Sequence, residues 1–434
     1  MKNKHLVIVS YDGVFSYYTG VGTVIKNTID ILYDMDFIEN LKISIAGISL
    51  DKNGKTFDVH TYEKTKALVN KYGGTIIALA NDTVGYSEND LWRDPINWKV
   101  ACNSLVTSLN LILDKDDDNI IILHDTVFLY FEIAKRQISN ELRETIKSFY
   151  IPHSSGLNHT FTKESWNRER IRFEKECFSA IENNPSSKVI AIGKSFSEHL
   201  RHCYGITFGK DDYLPNGLIF ENYDASICLH SNYNDIKKYA PVLQKHNKII
   251  FSWGRLSQAK GFYELLEAWN KIQSMFPNHY LVIQAPMSCV VEEEYFMRFL
   301  EKKNSTPRVI HINKFMPIIW QTFLRYDKID AVCFASTMDP NPFAPIEAKL
   351  FNKDMDYVIV ASFKDGIKDS FEDGECISVI DPCDSDEFAG KLKDAIITLP
   401  EKRREMAERN FQTVHLFNYR KNIMDFLKTN NIII

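Results

Sequence analysis

The chain has 434 residues, 44% hydrophobic and 25% charged, with 52 Lys and Arg against 57 Asp and Glu for a net charge of −5. Those figures describe about two or three folded domains and exclude a fibrous or wholly disordered protein. They also exclude a broadly basic nucleic-acid footprint, so no nucleic-acid partner is expected.

The eight cysteines form no CxxC spacing, and reduced thiols in a cytoplasmic protein are the expected reading. The run Met1–Ser10 turns polar too soon for a signal-peptide core, and no apolar stretch approaches the ~20 residues that cross a bilayer. Peripheral contact with the inner face of a membrane stays open, because the segment Lys163–Lys175 is rich in Lys and Arg, with Glu interspersed.

Short β-rich apolar runs recur along the chain. Leu6–Ser10, Ile43–Ile48, Thr75–Ala80, Ile120–His124, Ser148–His153 and Val189–Gly193 fill the first half. Ile249–Trp253, Tyr280–Ala285, Val309–Phe315, Ala331–Ser336, Tyr357–Ser362 and Ile377–Asp381 fill the second. Between them lie segments of helical spacing such as Phe262–Met275, Glu292–Lys303 and Asp386–Leu399, and Pro400–Thr429 reads as further helix. Strands alternating with helices predict parallel sheets wound by βαβ crossovers, and runs such as IIILH suit strands covered on both faces. The alternation falters across Glu221–Lys248, after the turn signal Pro215-Asn216-Gly217. The expected division is residues 1–218, an acceptor-side domain; 219–412, a nucleotide-sugar domain; and 413–434, a helix returning to the first domain. Two doubly wound Rossmann-like α/β domains facing across a cleft would bind ligands beyond the carboxyl ends of their strands.

The residues at those ends carry the chemistry. After the first strand, Gly20, Val21 and Gly22 precede a helix and let the backbone approach an anion, although a plain βα turn has the same look. No third glycine follows, so this is not a dinucleotide fingerprint. His124 ends the fourth strand, where it could donate to a sugar hydroxyl or exchange a proton; the bland alternative is a histidine bonded to a nearby carbonyl. His153 ends the fifth strand, and with Tyr17 and Tyr18 it could border an acceptor. Phe15, Trp92 and Trp98 could stack on one too, although core packing also explains such residues.

In the second half Gly254 frees the backbone, and Arg255 and Lys260 stand five residues apart ahead of a helix. Cations at a helix N-terminus oppose its dipole, so an anion between them, such as a diphosphate, explains them better than a solvated pair. The next candidate loop carries Asp339, then Asn341-Pro342-Phe343-Ala344-Pro345, then Glu347, with seven residues separating the two acids. A carboxylate can accept from both hydroxyls of a ribose, a role that suits Glu347, while Asp339 could accept from a transferred sugar; helix capping is the plain alternative. The loop around Gly366 leaves another strand on the same side. Asp114-Lys-Asp116 has a metal-binding spacing but precedes a strand, and His199 and His202 lack a second cluster, so no metal is expected.

Gly254-Arg255-Leu256, Lys260-Gly261 and the acid–x7–Glu pair resemble the family-4 (group 1) retaining glycosyltransferases of GT-B fold. The order of Gly20–Gly22, His124, Pro215-Asn216-Gly217 and the Gly366 loop agrees with that pattern over most of the chain. The resemblance implies hexosyl transfer from a nucleotide-diphosphate sugar, a UDP-sugar by frequency among relatives, to a glycan, lipid-linked or small-molecule hydroxyl. It implies Arg255 and Lys260 on the diphosphate, Glu347 on the ribose, and Asp339 and His124 near the donor sugar, with no resident cofactor or metal. Polysaccharide biosynthesis is the expected setting. Two departures stand out: Asp339 occupies a position usually held by Glu, and Lys364-Asp365-Gly366-Ile367-Lys368-Asp369 replaces a loop of two glycines followed by Glu. Two rival readings remain, a nucleotide-sugar epimerase of the same architecture and a degenerate subunit that binds the nucleotide sugar without transferring it.

Overall fold

The computed structural model describes residues 2–16, 19–48, 57–80, 95–158, 164–223, 229–287, 293–314 and 316–433, with the backbone alone for 164–166. The chain divides into two units: residues 1–217 with 419–434, and residues 218–418.

The first unit is built on β1 (Lys4–Ser10), β2 (Leu41–Ile48), β3 (Ile76–Leu79), β4 (Asp118–His124), β5 (Ile146–Ile151) and β6 (Ser187–Val189). They form one parallel sheet in the order β3-β2-β1-β4-β5-β6. Its helices of eight or more residues are α1 (Gly20–Asp34), α2 (Val59–Lys71), α3 (Pro95–Ile112), α4 (Glu164–Glu182) and α5 (Lys194–Tyr204). The second unit repeats the plan with β7 (Lys248–Trp253), β8 (His279–Gln284), β9 (Val309–Ile312), β10 (Ile329–Phe334), β11 (Val358–Ser362) and β12 (Ile377–Val379), ordered β12-β11-β10-β7-β8-β9 and again parallel. Its longer helices are α6 (Phe262–Ile272), α7 (Glu293–Ser305), α8 (Pro317–Leu324), α9 (Phe343–Phe351), α10 (Ser385–Ile397) and α11 (Pro400–Thr413). These are two Rossmann-like domains. Strand order reverses between β1 and β4 in one sheet and between β7 and β10 in the other, and such switch points open a crevice at the carboxyl ends.

The continuous apolar runs explain the layering. Every residue of β10 and β11 is buried, as expected of strands covered by helices on both faces. Two clusters pack the two faces of the second sheet, one around Phe251, Trp320 and Phe323 and the other around Leu265, Trp269 and Phe299.

Three features differ from the sequence reading. The sixth strand lies earlier than the expected Val189–Gly193, because from Ala191 the chain leaves β5 and bridges Tyr213, with the Ala191 N–H on the Asp212 carbonyl at 2.9 Å. The polar stretch Glu221–Lys248, where the alternation falters, carries structure of the second unit over its described residues 229–248. Asn232 and Asp235 form a capping box for a short helix, Tyr233–Lys237, and Ile236, Ala240 and Leu243 insert into the second core. The C-terminal segment is broken by a 3₁₀ turn at Val414–Phe417, and the chain passes to the first unit at residue 418, not 412. There α12 (Tyr419–Thr429) sets the Tyr419 hydroxyl 3.0 Å from Thr28 Oγ1 and Phe426 edge-on to Phe149.

A buried ion pair ties α9 to the chain leading into β12. Lys349 Nζ lies 2.7 Å from Glu375 Oε2, both side chains being 1% exposed, and Glu375 Oε2 also accepts from the Glu372 N–H at 2.8 Å. Removing one partner leaves an uncompensated buried charge. A Glu375→Ala variant is therefore expected to lose about 3–5 kcal/mol of unfolding free energy, read from urea denaturation.

Candidate functional site

Because β7 and β10 are neighbours, the loops that follow them emerge side by side. Trp253 ends β7, and the loop runs through Gly254 and Arg255 to a 3₁₀ turn at Gln258–Lys260. Gly261 then adopts φ +64°, and a Cβ there would lie 1.9 Å from the Ala335 carbonyl oxygen, so only glycine lets this loop press against the one after β10. The Thr337 N–H donates to the Ala259 carbonyl at 2.9 Å. The loop after β11 joins them: the Gly366 N–H donates to the Asp339 carbonyl at 3.0 Å, and a Cβ on Gly366 would fall 1.8 Å from the Pro340 oxygen.

This lacing brings Lys260 into an ion pair with Asp339, both side chains partly buried. The pair faces a pocket that Ser336, Pro342, Ala344 and Pro345 also line. Asn341 and Phe343 flank it in sequence and are partly buried. Glu347 is the fifth residue of α9, beside its first turn. The Trp253 indole N–H donates to Glu347 Oε2 at 3.3 Å, and the Tyr223 hydroxyl lies 3.5 Å from Oε1, the outer limit of a hydrogen bond. Trp253 is itself held between aromatic rings, stacked on Trp320 at 5.7 Å and on Phe251 at 5.4 Å. The Glu347 residue keeps some surface exposed, but its carboxyl is enclosed. Burial raises the carboxyl to about 7, against a smaller lowering by Trp253, Tyr223 and the charge of Lys260. Arg255 is exposed and makes no hydrogen bond or ion pair among the described residues.

The second unit thus gathers Lys260, Asp339 and Glu347 at one switch point, with Arg255 on the same loop and its side chain in solvent. Sequence reasoning missed Trp253 and Tyr223. Trp253, placed at the end of a strand and directly before Gly254, carried a signal; Tyr223, inside a stretch read as a boundary, carried none.

At the switch point of the first unit the organiser is a residue that sequence reading passed over. Asp12, fully buried, accepts from the Gly13 N–H at 2.9 Å, Ser16 Oγ at 3.0 Å, the Thr19 N–H at 2.8 Å and Thr19 Oγ1 at 2.6 Å. Thr19 caps α1 through the Gly22 N–H at 3.1 Å. Gly20, Val21 and Gly22 therefore form the first turn of a helix and not a loop, and the Gly22 N–H is already committed. A Cβ on Gly22 would sit 2.3 Å from Asp12 Oδ2, which accounts for the glycine. Tyr17, Tyr18 and Trp92 lie outside the described residues. Phe15 and Trp98 are 4% and 0% exposed and belong to the core.

His124 ends β4 with its Nδ1 3.1 Å from His153 Nε2, and the two rings stack at 5.5 Å. Burial holds His124 well below the usual imidazole range and lowers His153 to about 4, so both are neutral near pH 7. Asp125 holds this arrangement in a left-handed conformation (φ +73°) that is uncommon outside glycine. Its carboxylate accepts from the Thr126 N–H at 2.8 Å, the His153 N–H at 3.3 Å and Ser154 Oγ at 3.2 Å. The basic segment expected at a membrane surface turns one cation inward: Arg170, 3% exposed, pairs with Glu174 at 2.7 Å and donates to Thr126 Oγ1 and Ser154 Oγ. No helix among the described residues is long and apolar enough to cross a membrane.

Residues 235–413, which fall inside the second unit, match the family model described as glycosyl transferases group 1. No curated protein matches the chain by sequence. Solved structures match it over nearly its whole length. The N-terminal domain of Candida albicans trehalose-6-phosphate phosphatase is 15% identical, with 99% of this chain and 97% of that one covered at a TM-score of 0.71. Sucrose-phosphate synthase from Thermosynechococcus elongatus is also 15% identical, with 99% and 98% covered at 0.71. An E. coli structure described as trehalose-6-phosphate bound with UDP-2-fluoro glucose is 13% identical, with 99% and 100% covered at 0.70. At such identities the likeness establishes the fold.

Proposed function

We propose that this chain, a group 1 glycosyltransferase of GT-B fold, transfers a sugar from a UDP-sugar to a hydroxyl with retention of anomeric configuration. The observation that carries the proposal is the meeting of Lys260, Asp339 and Glu347 at the second switch point, within the segment that matches the family model. Lys260 and Arg255 neutralise the diphosphate, Glu347 accepts from the ribose hydroxyls, and Asp339 accepts from the sugar. Charge growing on the departing diphosphate is met by these cations, the electrostatic role that is largest in many active sites. No carboxylate is needed as a covalent nucleophile in a same-face route, where the leaving phosphate takes the acceptor proton. The cations perform the charge neutralisation a metal would otherwise supply. The UDP-2-fluoro glucose of the E. coli structure supports uridine as the base. A Burkholderia xenovorans synthase in complex with glucose-6-phosphate, at 12% identity, supports a small sugar phosphate beside glycan and lipid-linked hydroxyls as the acceptor class. The first unit, with His124 and His153 at its own strand ends, serves the acceptor side.

A thermal-shift screen of UDP, ADP and GDP and their sugars tests the reading. A specific nucleotide at about 100 times its Kd adds about 2.7 kcal/mol to stability and raises the melting temperature by several degrees. No shift with any of them removes the reading. Incubation with the donor alone separates the rivals: a new nucleotide sugar marks an epimerase, whereas a transferase leaves the donor intact or slowly hydrolyses it.

A further inference from the structure

The ammonium of Lys260 is already matched by a group of the protein itself. Asp339 occupies it, both side chains mostly withdrawn from solvent at 22% and 14% exposure. The backbone beneath the pair is fixed on three sides. The Thr337 N–H is held by Ala259, the Asp339 carbonyl by the Gly366 N–H, and Gly261 is pressed against Ala335. The side chains are therefore the parts that can rearrange. Glu347 does not compete for Lys260 as a direct partner; its contacts are Trp253 and Tyr223. Arg255, exposed on the same loop, is a second cation to which Asp339 is not bound.

A diphosphate carries more negative charge than one carboxylate and offers more acceptor oxygens. Docked beside Lys260 and Arg255, it takes the ammonium from Asp339. We propose that Asp339 is a built-in counter-ion that competes with the donor's diphosphate for Lys260. Donor binding releases the Asp339 carboxylate, which then accepts from hydroxyls of the sugar. After transfer the sugar is gone from the nucleotide, the carboxylate loses those partners, and its return to Lys260 expels the nucleoside diphosphate. The short aspartate side chain keeps the carboxylate close to a backbone that Gly366 pins. The inference rests on the diphosphate-binding reading above and adds a route for product release.

The test is a double-mutant cycle in the full-length protein, with UDP binding measured by titration calorimetry for wild type, Asp339→Asn, Lys260→Met and the double variant. Asp339→Asn is expected to lower the UDP Kd about three- to tenfold when Lys260 is present, or about 0.7–1.4 kcal/mol, and less than about twofold in the Lys260→Met background. Failure to tighten with Lys260 present overturns the proposal. An equal gain without Lys260 also overturns it, because Asp339 would then act by simple repulsion of phosphate. Where Lys260→Met abolishes detectable binding, the double variant decides: binding restored by Asp339→Asn is against the proposal, and binding still absent agrees with it. A wild type and an Asp339→Asn variant that bind neither UDP nor ADP nor GDP remove the functional reading itself, whereas wild-type binding without tightening removes this inference alone.

Discussion

A Lys260→Ala variant is expected to release nucleoside diphosphate from its sugar donor about 100 to 1,000 times more slowly than wild type, the loss typical when one preorganised charge-stabilising group is taken from an active site. The magnitude follows from position. The ammonium sits at the carboxyl end of β7, mostly out of solvent, where a charge is screened less than in water. Lys260 keeps 22% of its side chain exposed and Asp339 14%, so water still reaches the carboxylate left behind and the fold should survive the removal of the ammonium. Arg255→Ala should lower the rate in the same direction but by less, because its side chain is exposed and more strongly screened. The rate is read as nucleoside diphosphate released in the presence of a panel of sugar, sugar-phosphate and lipid-linked acceptors. Near-normal rates in both variants, with unchanged melting temperatures, would sink the diphosphate clamp.

The sheets were legible because their signal is dense and local. Each of the twelve apolar runs overlaps a strand; the fifth and tenth strands begin and end two residues earlier than their runs, and the sixth keeps only Val189 of its run, because Ala191 finds a partner in Tyr213. The segment around Ile236 was opaque for the opposite reason: three apolar anchors in a polar stretch are too few for a period to show. In the second unit Lys260, Asp339 and Glu347 stand out in the sequence as candidates because they are cations and acids placed after strands, and the fold brings them to one end of one sheet. Their supports do not stand out. Trp253 and Tyr223 reach Glu347 from 94 and 124 residues away, and nothing in the order of residues announces such a pairing. The first unit shows the same limit. Asp12 looked like one polar residue after a strand, yet it accepts four hydrogen bonds and dictates the glycine at 22. The contact between His124 and His153 depends on β4 and β5 lying side by side, a fact of topology.

Glu347→Gln should change stability and binding in opposite directions, and pH separates the two. The folded protein raises this carboxyl from 4.5 to about 7, so between those values the native state holds a proton that the unfolded chain has released. Wild-type stability therefore falls as pH rises through that window, because ionising an enclosed carboxyl opposes folding. Glutamine keeps the shape of the protonated acid and carries no charge. The variant is expected to melt higher than wild type at pH 8 and alike at pH 5. Nucleotide binding runs the other way. Accepting from both ribose hydroxyls requires the ionised carboxylate, and charge-assisted hydrogen bonds contribute about 1.5–3 kcal/mol, so the variant should bind UDP about ten- to a hundredfold more weakly at pH 8. Wild-type affinity should climb more steeply between pH 6 and pH 8 than that of the variant, in which only the terminal phosphate of UDP still titrates. The charge cost that Trp253, Tyr223 and Lys260 only partly offset is then the energetic trace of a ligand contact: a carboxylate kept where folding disfavours it because a diol is to be held there. A variant that melts below wild type at pH 8, or binds UDP equally well, places the ribose elsewhere and leaves the enclosed acid without its assigned role.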